Sequence, residues 1–147
     1  MKYTVLFGRI LFSLIFVMAS LGHFSKQTIA YAAAQGVPFA AVAVPLSGML
    51  ALLGGLSIAL GYKAKWGARL LVLFLAPVTV MMHNFWAVQD PMMAQMHQVM
   101  FMKNISMLGG VLLISYFGAG PLSLDSRSQA RWEQRLRRVR GREAVVA

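Results

Sequence analysis

The sequence predicts an all-α integral membrane protein, a four-helix bundle with N and C termini cytoplasmic, and three observations lead there. Of 147 residues, 59% are hydrophobic and only 12% charged, a balance that leaves too little polar surface for a domain solvated by water. Four apolar stretches approach the ~20 residues a helix needs to cross ~30 Å of hydrocarbon with every backbone amide paired internally. Basic residues cluster between and after these stretches, seven of the nine arginines falling in the last 23 residues. That placement orients a membrane protein, so the net charge of +10 is assigned to a membrane surface and not to nucleic acid.

The first span runs from about residue 3 to 22. Lys2 and Arg9 precede or enter it in the manner of a signal peptide, but three further apolar runs follow, and it is read as a retained helix. Next, FSKQTIAYAAAQGVPF predicts a short periplasmic surface helix from about Lys26 to Gln35, ended by Gly36 and Pro38. The second span, about 39 to 62, carries no charge, and Ala51, Gly55 and Ala59 form a row of small residues that lets helices approach. Lys63, Lys65 and Arg69 mark a cytoplasmic turn before the third span, about 66 to 86. The connection AVQDPMMAQMH has Asp90 and no Lys or Arg, and so faces outward, before the fourth span at about 98 to 117. Ser106 and Gly110 repeat the small-residue spacing there.

Gly118, Gly120 and Pro121 end the membrane domain, residues 1–124, and a basic cytoplasmic tail follows, 125–147. Ser126 to Gln129 reads as a capping box for one more helix. Trp132, Leu136 and Val139 give that helix a narrow apolar stripe among arginines, suited to lying on anionic lipid with Trp132 at the headgroups. A solvated tail is the alternative.

Ionisable groups inside spans cost ~2.5 to 3.5 kcal/mol on insertion scales, so each needs a reason. Arg9 is expected to snorkel back to the cytoplasmic interface. The outer third holds a larger set: His23, then Thr79, His83, Asn84 and Trp86, then His97, Phe101, Lys103 and Asn104. Thr79, His83 and Trp86 share a helix face, as do His97, Phe101 and Asn104. No carboxylate lies in any span, so Lys103 either reaches out to headgroups or meets carbonyls, a neutral histidine or an anionic ligand. Methionine is also concentrated here, and Met93, Met96 and His97 are weak candidates for a soft metal such as Cu(I), with flexible apolar packing as the alternative.

With the spans placed, several motifs resemble the DoxX family of small bacterial inner-membrane proteins from about Gly8 to Asp125. They are Gly8-Arg9, ALLGGLSIALG with Gly54 and Gly55, His83 with Phe85-Trp86, FMKNISMLGG with Lys103-Asn104 and Gly109-Gly110, and GAGPLSLD. Two positions depart: His23 stands where that family usually has lysine, and Ala51 where many members carry glutamate. The resemblance implies a multi-pass bacterial inner-membrane protein, an accessory, non-catalytic subunit of a quinone- or thiol-linked redox or oxidative-stress system with redox partner proteins. Any activity would be that of an oxidoreductase subunit, and a quinone would be bound without a covalent link. In that picture Trp86 and Phe101 flank the quinone ring while His83, Asn104 and Lys103 bond its carbonyls. Metal or small-solute transport through the His/Met mouth, and a structural scaffold, are the competing classes.

Overall fold

The computed structural model describes residues 2–146, with side chains described from Lys2 to Arg138. It is all-helical over those residues: α1 (Lys2–Gly22), α2 (Lys26–Ala34), α3 (Ala40–Leu60), α4 (Ala64–Met82), a single 3-10 turn at Phe85–Ala87, α5 (Pro91–Phe117) and α6 (Leu124–Val146). Helices α1, α3, α4 and α5 are the four long and apolar enough to cross a membrane. They pack in the order α1 on α3, α3 on α4 and α4 on α5, and Phe12 of α1 lies against Gly110 of α5.

Lipid is as apolar as a protein core, so size rather than hydrophobicity separates buried from exposed faces. Leu11, Leu53, Leu73 and Leu113 all point outward, whereas Ala51, Gly54, Gly55, Gly67 and Ala68 are buried between helices. Around these small residues Phe16, Ile58, Leu71, Phe74, Leu75 and Val111 complete the core. Gly54 and Gly67 face one another where α3 crosses α4: a Cβ on Gly54 would sit 2.9 Å from the Gly67 carbonyl, and one on Gly67 3.0 Å from the Gly54 carbonyl. Gly55 lies on Phe16 and Val17 of α1, and Gly110 on the Phe12 ring. Gly109, in contrast, has nothing near it.

Three boundaries differ from those expected. Helix α4 ends at Met82 rather than near Trp86, so Thr79, His83 and Trp86 do not share one helix face as their spacing predicted. Helix α5 starts at Pro91 rather than near Gln98, because the Asp90 side chain accepts from the Met93 amide at 2.8 Å and Pro91 is pre-set for a first turn. Helix α6 starts at Leu124, and its capping box is shifted three residues upstream: the Ser123 hydroxyl accepts from the Ser126 amide at 3.0 Å, and the Ser126 hydroxyl from the Ser123 amide at 3.2 Å. Trp132 and Leu136 are exposed on α6, while the Val139 side chain lies outside the described ones. The surface helix α2 follows its sequence signals, with Ser25 capping it through the Thr28 amide and Gly36 at φ +82° leaving it.

The snorkelling expected of Arg9 does not occur. Arg9 is 6% exposed. Its Nε donates to the Ala59 carbonyl at 3.2 Å, Nη1 to Ala119 at 2.7 Å and Nη2 to Leu122 at 3.1 Å. Carbonyls near the end of α3 and in the loop after α5 lack helical partners, and the guanidinium satisfies them. Asp125 completes this end of the bundle. Its carboxylate accepts from the Lys63 and Ala64 amides at 2.8 and 3.0 Å, capping α4 from far along the chain, while its own amide donates to Gly61 at 2.8 Å.

Candidate functional site

The end of the bundle opposite Arg9 gathers the polar residues. Helix α4 stops at Met82, and the 3-10 turn that follows is closed by the Ala87 amide on the Asn84 carbonyl at 2.9 Å. The turn brings His83 against His97, two turns into α5, with ring centroids 5.8 Å apart and planes at 63°. Both Nδ1 atoms are buried and have no hydrogen-bond partner among the described residues. His97 is 8% and Asn104 4% exposed, on the face of α5 that the sequence assigned to them.

Beside the histidines, Phe85, Trp86 and Phe101 pack edge to face, with Trp86 and Phe101 centroids 5.8 Å apart at 81°. Rings in contact at that angle leave no slot between them, so the expected quinone sandwich is not formed. Thr79 is buried but bonds its own helix, donating to the Leu75 carbonyl at 2.6 Å. Lys103 is exposed, its ammonium 3.4 Å from the Met100 sulfur, and it does not join the buried set. Asn84 is half-buried in the turn. Met93 and Met96 are exposed, Met96 because it lies off the face of α5 on which His97 and Asn104 are buried and Met93 because it precedes that face by a turn. Among the described residues no three His, Cys, Asp or Glu side chains converge as a metal site.

His23 belongs to a different place. It lines a cavity of about 160 Å³ whose walls come from α2, α3 and α4, including Thr28, Ser47, Val44, Pro77 and Met82, and none of His83, His97, Lys103 or Asn104. Close approach holds His23 there, since a Cβ on Gly48 would sit 2.6 Å from the His23 Cβ. Its Nδ1 lies 2.9 Å from the Ala19 carbonyl. A carbonyl only accepts, so Nδ1 carries the proton and the other ring nitrogen of the neutral ring is an acceptor. The Ser47 hydroxyl donates to the Val44 carbonyl at 2.7 Å, which leaves its oxygen free to accept. Ser47 and Thr28 were not singled out in the sequence. A serine in an otherwise apolar span is a weak signal, since most back-bond their own helix as this one also does.

Comparison with known proteins corrects the family expected from the motifs. The SURF4 family model matches residues 1–132. The inner membrane protein YqjF of Escherichia coli is 31% identical over 130 residues, covering 87% of this chain and 94% of the relative. The inner membrane protein YphA of the same organism is 27% identical over 100 residues, or 68% and 71% of the two chains. The ER-derived vesicles protein ERV29 of Saccharomyces cerevisiae is 31% identical over 81 residues, 55% of this chain, which spans only 26% of that relative's length. No solved structure matches significantly. The DoxX resemblance is therefore overturned: glycine pairs serve close packing in any small bundle, and His23 and Ala51 already departed from that family's pattern.

Proposed function

The chain belongs to the SURF4 family, and from that premise we propose that it is a non-enzymatic binding protein whose ligand has an apolar body and a hydroxyl-bearing head. It is a multi-pass protein of the bacterial inner membrane. In our reading the Arg9 end is cytoplasmic, as the basic residues around it require, and the histidine end is periplasmic. The observation that carries the proposal is the cavity beside His23, apolar in its walls and supplied with acceptors by His23 and Ser47. Acceptors select a donor, so a lipid alcohol or quinol is favoured over a quinone carbonyl. If the ligand is a quinol, the redox step belongs to a partner protein, because the chain has no cysteine to run a dithiol cycle.

Purification in mild detergent, solvent extraction and mass spectrometry test this. A hydroxyl-bearing lipid is expected to accompany the wild type at near stoichiometric amounts and to fall at least fivefold in a His23→Leu, Ser47→Ala variant, since two lost hydrogen bonds of about 1 kcal/mol each predict more than that. Equal amounts in both proteins, or no such lipid in either, would end the proposal.

A second reading rests on the His83–His97 pair, whose two Nδ1 atoms are buried without a partner among the described residues. Two imidazoles on one soft cation, with metal–nitrogen bonds of about 2 Å, hold their centroids about 5 to 6 Å apart, and 5.8 Å lies within that range. Met100, one turn on from His97, carries a thioether whose sulfur accepts from the Lys103 ammonium at 3.4 Å and would have to exchange that partner for the metal. Cu(I) competition titration is expected to show at least tenfold weaker binding in His97→Leu. The same variant is expected to be as stable as wild type or more so, because it removes a buried nitrogen that has no partner. Unchanged Cu(I) affinity rejects this reading.

A further inference from the structure

At the Arg9 end, α4 begins, α5 ends and α6 begins around one groove of about 510 Å³. One rim carries Lys63, Lys65 and Arg69, and the facing wall is the Gly118–Gly120 loop with Ser123 and Ser126. We infer that this groove is a binding site for the phosphate headgroup of an anionic phospholipid.

Two of the three rim charges are held by rings and not by acids. The Arg69 guanidinium lies 4.4 Å from the Trp66 ring centre, and the Lys63 ammonium 5.6 Å from that of Tyr62. Stacking uses the face of a guanidinium and leaves its edge N–H groups for a phosphate. Asp125 is the acid among the lining residues, and its two oxygens are engaged by the Lys63 and Ala64 amides. The groove thus presents three cations against one committed carboxylate.

Its walls are also fixed in advance. Lys63 and Leu122 hold positive φ, a conformation that a residue with a side chain leaves when free, while Gly118 and Gly120 supply the positive-φ turns between them at no such cost. Arg9 pins the loop through the Ala119 and Leu122 carbonyls, and Asp125 pins the rim. The Lys65 stem runs alongside Gly118, where an added Cβ would meet the Lys65 Cε at 3.4 Å. The groove lies where one spanning helix begins and another ends, which is headgroup level, and the exposed Trp66 and Phe117 rings flank it with surface suited to acyl chains. A basic pocket between spans at that depth recognises a headgroup phosphate.

The test uses the full chain in detergent, with phosphatidylglycerol or phosphatidylcholine added, and native mass spectrometry to count retained lipid. One phosphatidylglycerol per chain is expected to be retained over phosphatidylcholine. A Lys63→Gln, Lys65→Gln, Arg69→Gln variant is expected to lose retention by about fivefold per charge removed. An Arg131→Gln, Arg135→Gln, Arg138→Gln variant, which removes the same charge from α6, is expected to retain the lipid. If the triple rim variant lacks a wild-type circular dichroism spectrum, Lys65→Gln alone is read instead, at about fivefold. Equal retention of the two lipids, or equal loss in the α6 variant, overturns the inference. Displacement of the lipid by excess inorganic phosphate alone would make this a free-anion site and overturn the lipid assignment.

Discussion

Arg9→Leu is expected to destabilise the protein by about 3 kcal/mol, as read by detergent-titrated unfolding followed by circular dichroism. The estimate comes from the three carbonyls that the guanidinium serves. Hydrogen bonds from a charged donor are worth about 1.5 to 3 kcal/mol each, those within membrane proteins often less, and bonds from one group do not add fully. The sign is the decisive part. A snorkelling arginine replaced by leucine would make the span more apolar and the protein no less stable, since leucine is favoured and arginine disfavoured at a span's interior on insertion scales. Loss of stability therefore separates a clamp from a snorkel. Arg9→Lys should fall between, because one ammonium does not reach three separated carbonyls together. The damage should extend beyond the local bonds, since the Ala119 to Leu122 loop leads into Ser123 and Asp125, which cap α6 and α4.

Gly54→Ala is expected to cost about 2 to 3 kcal/mol, and Gly67→Ala a similar amount, in the same unfolding assay. At Gly54 the new methyl would lie 2.7 Å from Leu71, which is fully buried, and 2.9 Å from the Gly67 backbone carbonyl. At Gly67 it would strike the Ser57 side chain and sit 3.0 Å from the Gly54 carbonyl. Neither backbone yields without separating α3 from α4. Both residues form one contact, so the double variant should lose less than the sum of the singles. Gly109→Ala is the control, expected to be neutral or to stabilise by about 0.5 to 1 kcal/mol, because nothing lies near it and alanine is the better helix former. A substantial loss at Gly109 would mean that this face packs against another chain.

Much of this was legible in order along the chain. Span lengths, the α2 cap at Ser25 and its glycine exit depend on solvent transfer and on residues within one turn of each other, and the sequence contains that information complete. The start of α5 was equally local, in Asp90-Pro91, but an apolar-run criterion overlooked it because the first two turns of α5 are less apolar than its remainder. The absence of a capping residue before α4 was a clue of another kind. Lys63 offers its first amides nothing, so a partner had to come from elsewhere, and only packing reveals it as Asp125. The candidate site divided for a similar reason. Helical periodicity placed His97 and Asn104 on one face, whereas the turn after Met82 decided that His83 meets His97 and that His23 lines a separate cavity.

By itself, then, the sequence determined that this is a membrane protein, how many times it spans and which positions carry its unusual polar groups, because hydrophobicity and helical rise act locally and add along the chain. The tertiary structure alone decided that Arg9 is a clamp, that Gly54 and Gly67 are one crossing, that Lys103 stands outside the buried set and that three basic residues border a groove. Each depends on which carbonyl, ring or backbone arrives from a distant segment, and lipid, apolar on every side, gives the sequence no pattern from which to read that pairing.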